Sequence, residues 1–112
     1  MQIVERREKD TFIYGVRGRL DSRSSPELEK RLLDAISGGT TEMVLDFENL
    51  DYISSAGLRV ILKATKDLKK AKGQIVLCAL QDYVQEVFEI SGFNAIVPIT
   101  LSVDDALRRF SA

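Results

Sequence analysis

Two nearly continuous apolar runs, Met43-Val44-Leu45-Asp46-Phe47 and Ile75-Val76-Leu77-Cys78-Ala79-Leu80, limit the folds open to this chain more than any other feature. Each has the length of a strand and neither alternates, so each reads as a strand covered by other elements on both faces. Strands of that kind belong in the middle of a parallel or mixed sheet whose crossovers are right-handed and helical. Helical periodicity fills the intervals as that architecture requires. Leu28, Leu32, Leu33 and Ile36 make one buried stripe, stopped at Gly38-Gly39, and Leu58, Ile61, Leu62, Thr65 and Leu68 make a second that ends before Gly73. Tyr83, Val84, Val87 and Phe88 mark a shorter third helix ended by Gly92, and Ser102 with Asp105 opens a last one through Phe110.

The segment ahead of the first helix is β in character. Ile3-Val4 start one strand within residues 2–9, Phe12-Ile13-Tyr14-Gly15-Val16 form the centre of another within 11–20, and Lys9-Asp10 makes the hairpin turn. Ser24, Pro26 and Glu27 have the spacing of a capping box with proline in the first turn. Residues 95–99 add a brief edge strand, because Pro98 has no N–H to give to a central ladder. The predicted order is β-β-α-β-α-β-α-β-α: an α/β fold with a mixed, mostly parallel sheet of four to five strands packed with about four helices. At 112 residues, 45% of them hydrophobic, the chain supports one core and one domain, 1–112.

Composition removes several function classes. Sixteen basic against seventeen acidic side chains leave a formal charge of −1 with no long block of like charge, so direct nucleic-acid binding is not expected. No apolar run approaches the roughly 20 residues that cross a bilayer, and Met1 to Asp10 is charged instead of signal-like. A cytoplasmic protein without membrane attachment is expected. The lone Cys78 cannot form an internal disulfide and reads as a small apolar core residue, while the lack of histidine removes the usual zinc and non-haem iron ligand sets. No metal or cofactor is expected, and the absence of an obvious long apolar patch favours a monomer.

The chemistry concentrates where the first apolar run passes through a short loop into Ile53-Ser54-Ser55-Ala56-Gly57-Leu58-Arg59. Either serine suits a helix N-cap, worth about 1 kcal/mol. The same place also favours an added phosphate, whose charge of about −1.5 to −2 meets the positive end of the helix dipole for about 0.3–1 kcal/mol. Ala56 and Gly57 leave room for another protein to approach closely, and Gly57 serves close helix–sheet packing equally well. Arg59 suits pairing with a phosphate or an acidic partner, or plain solvation. Glu48 and Asp51 flank the loop as ordinary solvated carboxylates. A serine-dependent enzyme is a weaker reading, because the chain has no histidine base and the segment lacks the Gly-x-Ser-x-Gly elbow.

These residues resemble the small single-domain STAS proteins that act as anti-sigma factor antagonists. Gly18-Arg19-Leu20-Asp21 is similar to that family's Gly-x-x-Asp ahead of its first helix, and Leu45-Asp46-Phe47 through Ile53-Ser54-Ser55-Ala56-Gly57-Leu58 is similar to its phosphorylation segment. The resemblance extends over nearly the whole chain. In the family the phosphorylated serine follows an aspartate and precedes a small residue and glycine. Matching that glycine to Gly57 implies Ser55 as phosphoacceptor, with Ser54, standing where the aspartate is usual, as runner-up. The implied partner surface is Asp21, Ser54, Ser55, Ala56, Gly57, Leu58 and Arg59. The implied function is a partner switch without enzymatic activity of its own. Its unphosphorylated form binds an anti-sigma factor/serine kinase, phosphorylation at Ser55 blocks binding, and a PP2C-type serine phosphatase reverses it. An unphosphorylated STAS scaffold or ligand-sensing module is the second reading the resemblance permits.

Overall fold

The computed structural model describes residues 1–111. Strand β1 (Gln2–Glu8) and strand β2 (Thr11–Leu20) form the antiparallel hairpin, with Lys9 at φ 53 in its turn. The chain continues through α1 (Ser25–Ser37), β3 (Glu42–Asp46), β4 (Leu50–Ile53), α2 (Ser55–Lys70), β5 (Gln74–Cys78) and α3 (Asp82–Ser91). A 3-10 turn (Phe93–Ala95), β6 (Ile99–Thr100) and α4 (Val103–Ser111) complete it. The strand order is β1-β2-β3-β5-β6, with β4 also on β2, and every pairing after the hairpin is parallel.

Strand alternation sorts the core into two sides. Tyr14, Val16, Met43, Leu45, Ile75 and Leu77 face the larger cluster, where Leu28 and Leu32 of α1, Ile61, Ala64 and Leu68 of α2, and Val84 and Phe88 of α3 cover them. Ile13, Val44, Val76 and Cys78 face the other way, onto Ala106 of α4, with Val103, Leu107 and Phe110 around it. Residues of β3 and β5 therefore meet apolar cover on both faces, which is why their sequences do not alternate. Cys78 is fully buried, and burial together with the nearby Asp46 carboxylate pushes its thiol up to about 12, so it stays an unreactive packing group at neutral pH.

The structure departs from the sequence expectation in three places. The first is an additional strand, β4, which raises the count to six. The Asp46 carboxylate accepts the Glu48 N–H at 3.1 Å and Phe47 C=O accepts the Leu50 N–H at 3.0 Å, re-aiming the chain so that it runs on along β2. Gly18, Arg19 and Leu20 then pair with Leu50, Tyr52 and Ile53. Four residues are too few to declare a period of two, so the segment reads as loop in sequence. Second, the strand expected within 95–99 is confined to Ile99–Thr100. Ala95 lies in the 3-10 turn, and the Ile96 and Val97 N–H groups return to Phe93 C=O at 2.9 and 3.1 Å. Third, no capping box forms at Ser24. Its backbone is already helical, φ −94 and ψ −24, and its hydroxyl turns back to the Arg19 carbonyl at 2.8 Å.

Phe47 is fully buried at the bend between β3 and β4, so Phe47→Ala should cost about 3–5 kcal/mol. The loss is read as a lower urea midpoint at unchanged m-value.

Candidate functional site

The two serines after β4 do different things. Ser54 is the N-cap of α2: its backbone is extended (φ −96, ψ 174), its Oγ accepts the Gly57 N–H at 3.3 Å, and its carbonyl accepts the Leu58 N–H at 3.0 Å. Ser55 is the first residue inside the helix and is exposed, and among the described residues its hydroxyl has no hydrogen-bond partner. Its N–H and that of Ala56 belong to the first helical turn, which has no intrahelical acceptors. The capping role and the free hydroxyl, which the sequence leaves open between the two serines, fall on different residues.

Gly57 explains how closely α2 seats on the sheet. A Cβ built there would lie 2.9 Å from both Ile53 Cγ1 and Leu20 Cγ, closer than real Cβ atoms approach other groups, and a tight 3.0 Å from Leu20 O. Leu58 is likewise buried, facing the main core, whereas Arg59 is exposed and Ala56 half-buried. Of the residues expected to form a partner surface, Asp21, Ser54, Ser55, Ala56 and Arg59 therefore reach solvent. Gly57 and Leu58 support that surface from below.

Asp21 is brought to the serine turn by the sheet. The Ser54 N–H donates to Leu20 C=O at 2.9 Å, immediately before Asp21. Asp21 Oδ1 accepts the Ser24 N–H at 3.1 Å and the Arg23 N–H at 3.0 Å, an Asx-type turn. Its own N–H donates to Ser24 Oγ at 2.9 Å. The Ser24 N–H bond is the leading reason the Asp21 carboxyl is held below its ordinary range, helped by the Arg23 N–H, the Ser24 hydroxyl and the Arg19 charge. Arg19 Nε stands 4.0 Å from Asp21 Oδ2, and its guanidinium carbon lies 4.1 Å from the Tyr52 ring centroid.

That last contact belongs to a group that sequence reasoning missed. Tyr52 meets Tyr83 edge-on with centroids 6.2 Å apart, and Gln81 Nε2 donates to Glu48 C=O at 2.9 Å, tying the start of α3 to the loop before β4. Arg19 and Tyr52 are 33 positions apart and become neighbours only through the β2–β4 pairing. Among the described residues no cluster of three or more histidine, cysteine or carboxylate side chains is arranged to hold a metal ion. No helix among them is long and apolar enough to cross a membrane.

The fold and site define a single small α/β domain that presents a free serine hydroxyl at a helix start beside a fixed aspartate. The chain belongs to the STAS domain family, whose family model matches residues 2–106. BtrV of Bordetella bronchiseptica, provisionally named an anti-sigma factor antagonist, is 44% identical over 99 residues, 88% of this chain and 85% of BtrV. A crystal structure from Thermotoga maritima, also provisionally named an anti-sigma factor antagonist, superposes with a TM-score of 0.94 at 19% identity, covering 98% of this chain and 95% of the other. The Bacillus cell-fate determinant SpoIIAA in its phosphorylated form superposes with a TM-score of 0.78 at 21% identity, covering 97% and 99%. The two structural likenesses carry the fold alone.

Ser54→Ala should destabilise by about 1 kcal/mol through the lost cap. Gly57→Ala should cost about 1–3 kcal/mol by overpacking, while Ser55→Ala should stay within about 0.5 kcal/mol. Denaturant unfolding of the three variants checks the ranking. For Asp21 the folded value is depressed, so its contribution to stability is present above the unfolded value of about 3.9 and is lost as pH falls through the folded value. Carboxyl-detected NMR titration should place its midpoint below that of an unstructured aspartate.

Proposed function

We propose that this protein is an anti-sigma factor antagonist that works as a phosphorylation-controlled partner switch, with Ser55 as the switch residue. The observation that carries this reading is the exposed, unpartnered Ser55 hydroxyl at the first position of a 16-residue helix whose cap is supplied separately by Ser54. A phosphoryl group on Ser55 displaces no hydrogen bond, leaves the cap in place, and puts about −1.5 to −2 of charge where the helix dipole favours it by about 0.3–1 kcal/mol. The fold tolerates the change. A complementary partner surface does not, because a dianion there must be desolvated or must oppose like charge, and each 1.4 kcal/mol lost weakens binding about tenfold.

In this reading the unmodified protein binds an anti-sigma factor that is also its serine kinase, with Asp21, Ser54, Ser55, Ala56 and Arg59 at the contact and Gly57 and Leu58 holding them in place. A PP2C-type phosphatase restores the hydroxyl. ATP and catalytic metal belong to those partners; this chain is a substrate and binding module, cytoplasmic and monomeric, contacting neither nucleic acid nor membrane directly. The name given to BtrV supports the antagonist role, and SpoIIAA is a protein of this fold that exists phosphorylated. An enzymatic role for either serine has no support in the geometry. Ser54 Oγ is engaged by the Gly57 N–H, and among the described residues no side-chain base hydrogen-bonds Ser55.

Incubation with ATP and the cognate anti-sigma kinase should add one phosphoryl group by intact mass, lost in Ser55→Ala and kept in Ser54→Ala. The phosphorylated protein should bind that kinase at least tenfold more weakly. An adduct that persists in Ser55→Ala moves the site to another hydroxyl.

A further inference from the structure

The exposed face of α2 carries a row of positive charge that starts at the switch serine, with Lys69 exposed to one side of it. At 3.6 residues per turn, taking Arg59 as origin, Ser55 lies about 40° and Lys66 about 20° to one side, with Lys70 about 20° and Lys63 about 40° to the other. Ser55, Arg59, Lys63, Lys66 and Lys70 are all exposed. They share a wedge of about 80° running about 22 Å along the helix. Lys63 Nζ is 3.3 Å from Glu29 Oε2 of α1, and among the described residues Arg59, Lys66 and Lys70 have no ion-pair partner.

Neither composition nor helix stability accounts for the row. The chain as a whole has a formal charge of −1. Helix α1 mixes its signs and makes an internal Lys30–Asp34 pair at 3.0 Å, while the exposed charges of α3 are Asp82, Glu86 and Glu89, all acidic. The helix dipole favours Lys70 in the last turn of α2 but gives little to Arg59 or Lys63, which lie outside that turn. Arg59 and Lys63 also line, with Ala56, Pro26, Glu29 and Ser22, the shallow trough between α1 and α2 that runs up to the serine turn.

We infer that this row is a docking surface for an acidic segment of a protein partner. That this partner is the one switched at Ser55 rests on the function proposed above; the acidic chemistry of the segment rests on α2. A polyphosphate or anionic lipid surface fits less well. Glu29 and Asp67 border the row, and α2 carries no aromatic side chain for base stacking or interfacial insertion. The arrangement also gives phosphorylation an electrostatic lever. A phosphate on Ser55 stands one turn before Arg59, at the i,i+4 spacing that allows pairing, and places about two negative charges at the head of the row.

The test uses the isotopically labelled full chain and three probes: a synthetic helical peptide with glutamates every four residues, duplex DNA, and phosphatidylserine vesicles. The peptide should bind saturably, with amide shifts confined to α2 and the facing side of α1 and an affinity that falls steeply with salt. Arg59→Glu/Lys66→Glu should weaken it at least tenfold and the neutral Arg59→Gln/Lys66→Gln severalfold, while Arg17→Glu/Arg109→Glu, which reverses exposed charges elsewhere, leaves it unchanged. Circular dichroism confirms that each variant is folded, and the neutral pair serves if the reversed pair is not. Shifts spread over the whole surface, insensitivity to the α2 substitutions, or tighter binding of DNA or vesicles would overturn the inference. No kinase or phosphoryl transfer enters the measurement, so its failure is read separately from failure of the Ser55 switch.

Discussion

The serine-turn end of the molecule depends on one backbone hydrogen bond and the strand pairing around it: Ser54 N–H to Leu20 C=O at 2.9 Å, closing the β2–β4 junction. On one side of that bond the chain turns into the Asp21 loop, and on the other into α2. The separation between Asp21 and Ser55 is therefore set by sheet register, not by a flexible connection. Gly57 completes the junction, since only a residue without Cβ lets the first turn of α2 rest on Leu20 and Ile53 at this distance.

Adjacent hydroxyls then serve opposite needs. Ser54 is held by its cap bond and its backbone contacts, whereas Ser55, one position further on, is bound by nothing that modification would break. A charge added to the capping oxygen would compete with the Gly57 N–H bond. A charge added one residue later meets the exposed amides of the helix start and leaves that bond alone. In the proposed switch, this separation lets the folded state stay constant while the surface changes sign.

A nearly neutral composition conceals how the charge is distributed. Basic side chains line the outer face of α2, which begins at the serine turn, and acidic ones the outer face of α3, whose Tyr83 meets the Arg19–Tyr52 pair. Partner recognition on such a surface is governed by position within the fold, and the chain's net charge says little about it.

Much of this was legible in the sequence because it is local. The apolar runs of β3 and β5, the stripes of the first three helices, the stops at Gly38-Gly39 and Gly92, and the Ser102 cap on the Asp105 N–H at 3.1 Å each follow from residues a few positions apart. The serine-to-glycine segment, and through its family resemblance Ser55, were visible for the same reason. The rest depended on pairing between distant segments. Strand β4 exists because β2 is long enough to offer an edge beyond β3, and the capping pattern at Ser24 lost to a carbonyl five residues back. Ser54 and Ser55 differ in role because Leu20 fixes one of them in the sheet. Sequence by itself determined the α/β class, the four helices, the main buried faces and the serine turn, since periodicity and caps are short-range. Tertiary structure alone decided which serine is free, what stands beside Asp21 and which charges share a face, because those depend on register and helix phase across the whole fold.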